Sequence, residues 1–265
     1  MKKIIVVTGA SSGMGKEFLI QILEKEKDVD EIWAIARREE RLIKLKKEVS
    51  EKIVPIKLDL SEESELLKYK EKVEEEKPNI IILANCAGFG IFEHSENIKT
   101  EIKLNMIDLN VKAPVAMIDY SLPYMKKGAK IMNIASCAGF QPIPYINDYA
   151  ATKSFLLSYS RALNRELKYK GIHVLAVTPY WTKTEFFDRA IDEKKKKVVI
   201  NYNAMYDPTE VMKLAIKDLY TRKDVSIYGF VNRGQRLLTK VLPHSLVMKV
   251  WTNQQKLDGT PDIRK

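Results

Sequence analysis

The residues best suited to chemistry stand in one short stretch, Tyr149-Ala-Ala-Thr-Lys153. Residues four apart share a helix face, so this phenol and this ammonium point into one pocket. A free tyrosine keeps its proton to about pH 10. A fixed cation beside it favours the phenolate and draws that value toward neutrality. Such a pair suits proton exchange with an alcohol or carbonyl oxygen. The spacing alone also occurs on solvated helix faces, and its weight comes from a second cluster, Thr8-Gly9-Ala10-Ser11-Ser12-Gly13-Met14-Gly15. Glycines at these three places let the backbone turn sharply, approach a pyrophosphate and pack a helix against a strand, while the helix N-terminus supplies N–H donors. The cluster therefore reads as a dinucleotide cradle formed by Gly9, Ser11, Ser12, Gly13, Met14 and Gly15.

Both clusters need elements to hold them. Short apolar runs at 3–7, 31–36, 53–58, 80–84, 130–135, 172–177 and 225–228 read as strands. Amphipathic patterns at 15–27, 39–50, 62–77, 101–125, 148–170 and 208–220 read as helices between them. The alternation predicts an α/β fold, a single doubly wound Rossmann-type parallel sheet with helices on both faces. The chain has 265 residues, without an internal repeat or a linker rich in Pro, Gly or Ser, so residues 1–265 are expected to form one domain. Residues 183–206, with lysines 194–197, break the rhythm and read as a substrate lid. Residues 229–265 read as a tail that caps the pocket or joins an interface.

The second strand runs into Ala36-Arg37-Arg38, where selection of NAD would need an acid on the ribose 2′-hydroxyl. Two guanidinium groups suit a 2′-phosphate instead, so the expected cofactor is NADP(H). Asp59, with Leu60 beside it, follows the third strand in position to meet the adenine amino group. Asn85-Cys86-Ala87-Gly88 follows the fourth, where small residues keep the cofactor's floor open.

Thr8 to Gly15, Asn85 to Gly88, Asn110, Ser136, Tyr149 and Lys153 together resemble the short-chain dehydrogenases/reductases of the typical short-subunit kind, in order and spacing, over about residues 1–184. The resemblance implies an oxidoreductase interconverting a ketone and a secondary alcohol. It makes Tyr149 the acid for reduction and the base for oxidation. Lys153 would lower the Tyr149 pKa and hold the nicotinamide ribose, Ser136 would hydrogen-bond the reacting oxygen, and Asn110 would hold a water linking Lys153 to solvent. It also implies that Pro179, Thr182 and Thr184 meet the cofactor, and that the protein is a homodimer or homotetramer. Two positions depart from the family pattern. Cys86 replaces a second asparagine, and Tyr180 follows Pro179 where a glycine is usual, placing a bulky side chain beside the nicotinamide.

Composition bounds the alternatives. The net charge of +10 attracts anions of every kind, but Lys and Glu are interspersed along most helical patterns, as on an ordinary solvated surface. No nucleic-acid recognition motif accompanies the charge, and nucleic acid is not an expected partner. Two cysteines, Cys86 and Cys137, are too few for a disulfide framework and fit a reducing cytoplasm; with no base paired to them they read as small buried residues. No Cys/His/Asp cluster has metal-ligand spacing, so no metal is expected. The tail carries nine Lys/Arg against three Asp over 222–265, with apolar clusters either side of Pro243, and contact with an anionic membrane surface is the less favoured alternative to packing on protein. Phe89, Ile91, Phe92, residues 140–145, Tyr180, Trp181, Phe186 and Phe187 are candidate pocket walls. They suggest a bulky hydrophobic substrate such as a steroid or fatty-acyl derivative. A non-catalytic NADPH sensor is the alternative, and it would have no use for a proton relay.

Overall fold

A computed structural model describes residues 1–191 and 198–257; the lysine run at 194–197 and the end of the tail lie outside them. Seven parallel strands form one sheet: β1 (Lys3–Thr8), β2 (Glu31–Ala36), β3 (Ile53–Lys57), β4 (Asn79–Asn85), β5 (Lys130–Ile134), β6 (His173–Val177) and β7 (Val225–Ser226), in the order β3-β2-β1-β4-β5-β6-β7. The strands read as almost unbroken apolar runs because both faces are covered. Alternation along β1 divides the core in two. Ile4 and Val6 join a cluster on one face, and Ile5 and Val7 a cluster on the other.

Ten helices are described: α1 (Gly13–Lys25), α2 (Glu39–Val49), α3 (Glu63–Glu76), α4 (Thr100–Ile107), α5 (Ala113–Ser121), α6 (Asn147–Glu166), α7 (Phe186–Ala190), α8 (Pro208–Tyr220), α9 (Phe230–Val241) and α10 (His244–Gln254). Phe18, Leu42 and Met212 bring α1, α2 and α8 to the Ile5 face. Leu66, Met106, Met117 and Leu163 bring α3 to α6 to the Ile4 face. The chain winds outward from β1 to β3 and then returns to begin again at β4, beside β1. That reversal opens a crevice at the carboxyl ends of β1 and β4, where ligands of open α/β sheets bind.

Three elements differ from the sequence reading. The helix expected over 101–125 is broken: α4 gives way to a π-helical turn at Asp108–Lys112, then α5, then a 3₁₀ turn at Leu122–Tyr124. Two prolines account for this. Pro114 has no N–H to give the Asn110 carbonyl four residues before it, and Pro123 cannot continue the helix. The last strand is shorter than 225–228, ending at Ser226. The tail, finally, contains two substantial helices, divided at Pro243.

Candidate active site

The site is built where strands end. After β1 the backbone passes Gly9 (φ +65°) and Gly13 (φ +52°), left-handed conformations that favour glycine, and enters α1. A Cβ on Gly15 would lie 2.4 Å from the Gly9 carbonyl oxygen, and one on Gly9 would lie 2.8 Å from the Ala87 nitrogen. Gly9 is therefore fixed by space as well as by φ, Gly15 by space and Gly13 by φ. Thr8 Oγ accepts from the Cys86 and Ala87 N–H groups at 3.0 and 3.1 Å, tying the turn after β4 to the turn after β1. The Cβ-free cradle, the N-terminus of α1 and the Ser11 and Ser12 hydroxyls fit a dinucleotide. Arg38 donates to both hydroxyls, at 3.3 and 2.8 Å, bringing its guanidinium to the mouth of the cradle.

Other residues expected at the cofactor are otherwise engaged. Asp59 accepts from Ser61 N at 3.1 Å and Ser61 Oγ at 2.7 Å and pairs with Arg37 at 3.6 Å. Burial pushes its carboxyl up, but the Ser61 hydrogen bonds and Arg37 outweigh this and hold it below the usual range. Leu60 is buried in the core. The Asn85 side chain donates to Asn133 Oδ1 at 2.9 Å, and Asn133 donates to Ser160 at 2.9 Å, so Asn85 links β4 to β5 and α6. Thr182 donates to the Tyr180 carbonyl at 2.9 Å, and Thr184 Oγ lies 3.4 Å from the Thr182 carbonyl oxygen. A Cβ on Gly13 would be 3.4 Å from Thr184, which brings the segment after β6 against the cradle.

The four chemistry-bearing residues converge beside this crevice. Tyr149 and Lys153 are one turn apart on α6, with the Lys153 ammonium 5.7 Å from the Tyr149 ring centroid. Lys153 Nζ donates to the Ile134 carbonyl at 2.7 Å, and a Cβ on Gly88 would be 3.4 Å from this Nζ and 2.9 Å from Asn110 Oδ1. Gly88 therefore lets the lysine and the asparagine meet under the crevice floor. Asn110 Oδ1 accepts from Phe89 N at 3.1 Å, and its amide donates to the Phe89 carbonyl at 2.8 Å and to Thr152 at 3.0 Å. The side chain thus clamps the turn after β4 to α6, while the π-helical turn and Pro114 leave its carbonyl without the usual helical partner. Ser136, just past β5, accepts from Ala138 N at 3.1 Å and lines the same cavity as the Tyr149 phenol. Gly90 completes the base. A Cβ there would meet the Tyr149 ring at 2.8 Å and Phe186 at 2.9 Å. Its signal in the sequence was a second glycine close behind Gly88.

Electrostatically the site differs from the expectation. Burial pushes the Tyr149 phenol up, against the opposing influence of the Ser136 hydroxyl, and pushes the Lys153 ammonium down to about 8. Desolvation penalises the charged form of each, so the lowering of Tyr149 by its lysine does not prevail here. Burial pushes the thiols of the partly exposed Cys86 and Cys137 up to about 12, which keeps them protonated.

Above the Tyr149 and Ser136 side chains opens a cavity of about 400 Å³. Ile143, Tyr180, Trp181, Phe186 and Phe187 line it, as do Gln141 and Ile146. Several expected wall residues do not. Phe89 and Ile91 pack into the core on the Ile4 face, Phe140 packs beside Leu157, and Phe92 stands behind the wall, edge-on to Trp181 at 5.7 Å. The missing side of the pocket comes from the tail, through Leu238 of α9 and Val247, Val250 and Trp251 of α10. Trp251 donates to the Pro144 carbonyl at 3.1 Å and stacks on Trp181 at 6.4 Å. Gln255 accepts from Ile200 N and Asn201 N, both at 2.9 Å, and donates to the Asn201 carbonyl at 3.1 Å. Among the described residues there is no group of acidic, Cys and His side chains that could hold a metal ion, and no helix is long and apolar enough to cross a membrane.

Comparison with known proteins gives a consistent set of relatives. A family model described as short chain dehydrogenase matches residues 3–195. An NADP-dependent 3-hydroxy acid dehydrogenase of Schizosaccharomyces pombe is 30% identical over 85% of this chain and 90% of its own. Among solved structures, a short-chain dehydrogenase from Sphingobium yanoikuyae in complex with NADPH covers 99% of this chain and 98% of its own, with a TM-score of 0.74 and 24% identity. The closed form of a serine dehydrogenase complexed with NADP+ covers 83% of this chain and 90% of its own, with a TM-score of 0.71 and 28% identity.

Proposed function

The chain belongs to the short-chain dehydrogenase/reductase family and is an oxidoreductase of that family, and from this premise we propose that it interconverts a bulky hydrophobic ketone and its secondary alcohol with NADP(H) as coenzyme. One observation carries the reading: the Tyr149 phenol and the Ser136 hydroxyl stand together at the base of an apolar cavity, with the Lys153 ammonium behind them. The bound coenzyme supplies the hydride, and this chain's residues manage the proton. In reduction Tyr149 Oη donates its proton to the carbonyl oxygen, while Ser136 Oγ hydrogen-bonds the same oxygen as negative charge develops on it. Burial keeps the phenol protonated at neutral pH, the state a proton donor needs. Lys153, held at about 8, still carries its proton there and would hold the coenzyme's ribose. Proton return would run through Asn110, whose backbone carbonyl receives no N–H from Pro114 four residues on.

Preference for NADP over NAD rests on Arg38, whose guanidinium sits on Ser11 and Ser12 with no acid at the end of β2 to take a ribose 2′-hydroxyl. The S. pombe relative's NADP dependence agrees with it. A steroid or fatty-acyl substrate suits a wall of Ile143, Trp181, Phe186, Phe187, Val250 and Trp251. We further infer that residues 1–265 act as one domain, with 183–206 as the lid and the tail as pocket wall, in a cytoplasmic homodimer or homotetramer.

The test is nicotinamide absorbance change over a panel of ketones and alcohols with NADPH and NADH, beside Tyr149→Phe. The expected result is NADPH-dependent turnover of large apolar ketones that falls at least about 100-fold in the variant, with NADPH binding retained. Tight NADPH binding without turnover of any panel member would favour a sensor. Faster turnover of small polar sugars would refute the substrate class.

A further inference from the structure

Glu185 has no part in the proton chemistry, yet it occupies a decisive place. It stands between Thr184 and α7, and its carboxylate accepts from Arg38 Nη1 at 2.9 Å and from Arg41 Nη1 at 2.6 and 2.8 Å. The other terminal nitrogen of Arg38 is on Ser11 and Ser12. One guanidinium thus joins the cradle after β1 to the segment after β6. Arg37, by contrast, pairs with Asp59 and takes no part in this bridge.

Resting on the reading of Arg38 as the group that meets a coenzyme 2′-phosphate, we propose that Glu185 is a coenzyme-specificity residue, an internal anion that holds Arg38 and Arg41 until a 2′-phosphate takes them over. Two anions on one pair of guanidinium groups repel each other, so the phosphate and the carboxylate compete. The phosphate is the stronger contender, with close to twice the charge and three acceptor oxygens. A ribose carrying only a 2′-hydroxyl offers no charge and leaves the carboxylate where it is. The bridging side chains are each about two-fifths exposed, at 41% for the arginines and 44% for Glu185. Exposed pairs of this kind are weak enough to be exchanged. Arg41 first, and then Arg38, hold the Glu185 carboxyl below the usual range, so it remains an anion across the working pH. Its release also reaches the substrate pocket, because the next two residues, Phe186 and Phe187, are walls of the cavity.

The test needs no turnover. Adenosine 2′,5′-bisphosphate and 5′-AMP are titrated calorimetrically into the unmodified protein and into Glu185→Gln, with tryptophan emission followed in parallel, since Trp181 lies 6.0 Å from Phe187. The unmodified protein is expected to bind the bisphosphate more tightly than AMP and to change its emission with the bisphosphate alone. Glu185→Gln is expected to bind the bisphosphate roughly two- to fivefold more tightly, with AMP affinity unchanged. If the unmodified protein discriminates but the variant binds the bisphosphate equally or more weakly, or gains equally for AMP, the role of Glu185 is overturned and the NADP reading stands. If the unmodified protein does not discriminate, the NADP reading fails and the inference with it.

Discussion

Lys153→Met is expected to stabilise the protein while abolishing its activity, and the size of the gain follows from the site. Lys153 is 4% exposed, and its ammonium donates to the Ile134 carbonyl at 2.7 Å. Burial lowers its pKa from 10.5 to about 8. The unfolded chain therefore binds the proton more tightly than the folded one. At pH 7 this costs the native state about 3 kcal/mol, and the cost falls as pH rises through 8 toward 10.5. Methionine fills a similar volume without a charge and gives up one hydrogen bond worth about 1 kcal/mol. The net gain at pH 7 is about 2 kcal/mol, or roughly 4–8 °C in Tm for a chain of this size. At pH 10 the charge penalty is below about 1 kcal/mol and the two proteins should melt nearly together. Thermal melts of both proteins from pH 7 to 10 check this. A variant no more stable than the parent at pH 7, or a difference that does not change with pH, would refute the reasoning that burial of this ammonium dominates its energetics.

Two further substitutions probe the cradle and the wall. Gly15→Ala places a methyl group 2.4 Å from the Gly9 carbonyl oxygen, so backbone must shift; we expect a stability loss of about 1–3 kcal/mol in denaturant melts and loss of NADPH binding by calorimetry. Trp251→Ala removes the Pro144 hydrogen bond and the stack on Trp181, and KM for bulky apolar ketones should rise at least about tenfold with kcat nearly unchanged, since Tyr149 and Ser136 are untouched.

What could be read from the sequence was whatever local spacing dictates. The glycines at 9, 13 and 15 are required by a turn and two close approaches within seven residues, and Tyr149 and Lys153 are brought together by one helical turn. The sheet followed from apolar runs that must be covered on both faces. Contacts between distant stretches were not legible in the same way. Glu185 reaches Arg38 across 147 positions, and no pattern in either neighbourhood announces the other. Phe89 and Trp251 look alike as exposed-loop or tail aromatics, yet Phe89 turns into the core while Trp251 walls the pocket, and only packing decides between them. The break at Asn110 was legible in principle. Pro114 stands in the sequence, but the apolar periodicity around it runs on without interruption. The clamp that Asn110 makes with Phe89 and Thr152 depends on that break.

The roof of the cavity has a consequence for how such enzymes diversify. The family model ends at residue 195, while Leu238, Val247, Val250 and Trp251, which close one side of the pocket, all lie beyond it. The residues proposed to handle the proton and to cradle the coenzyme lie within it. On the proposed reading, changes in the last two helices would alter the pocket without touching the residues assigned to the proton or the coenzyme. In this chain that freedom is limited by anchors, the Trp251 bond to the Pro144 carbonyl and the Gln255 bonds among them. Gln255 fastens the end of α10 to the backbone at residues 200 and 201, so a new roof keeps its place only if it brings a comparable pin.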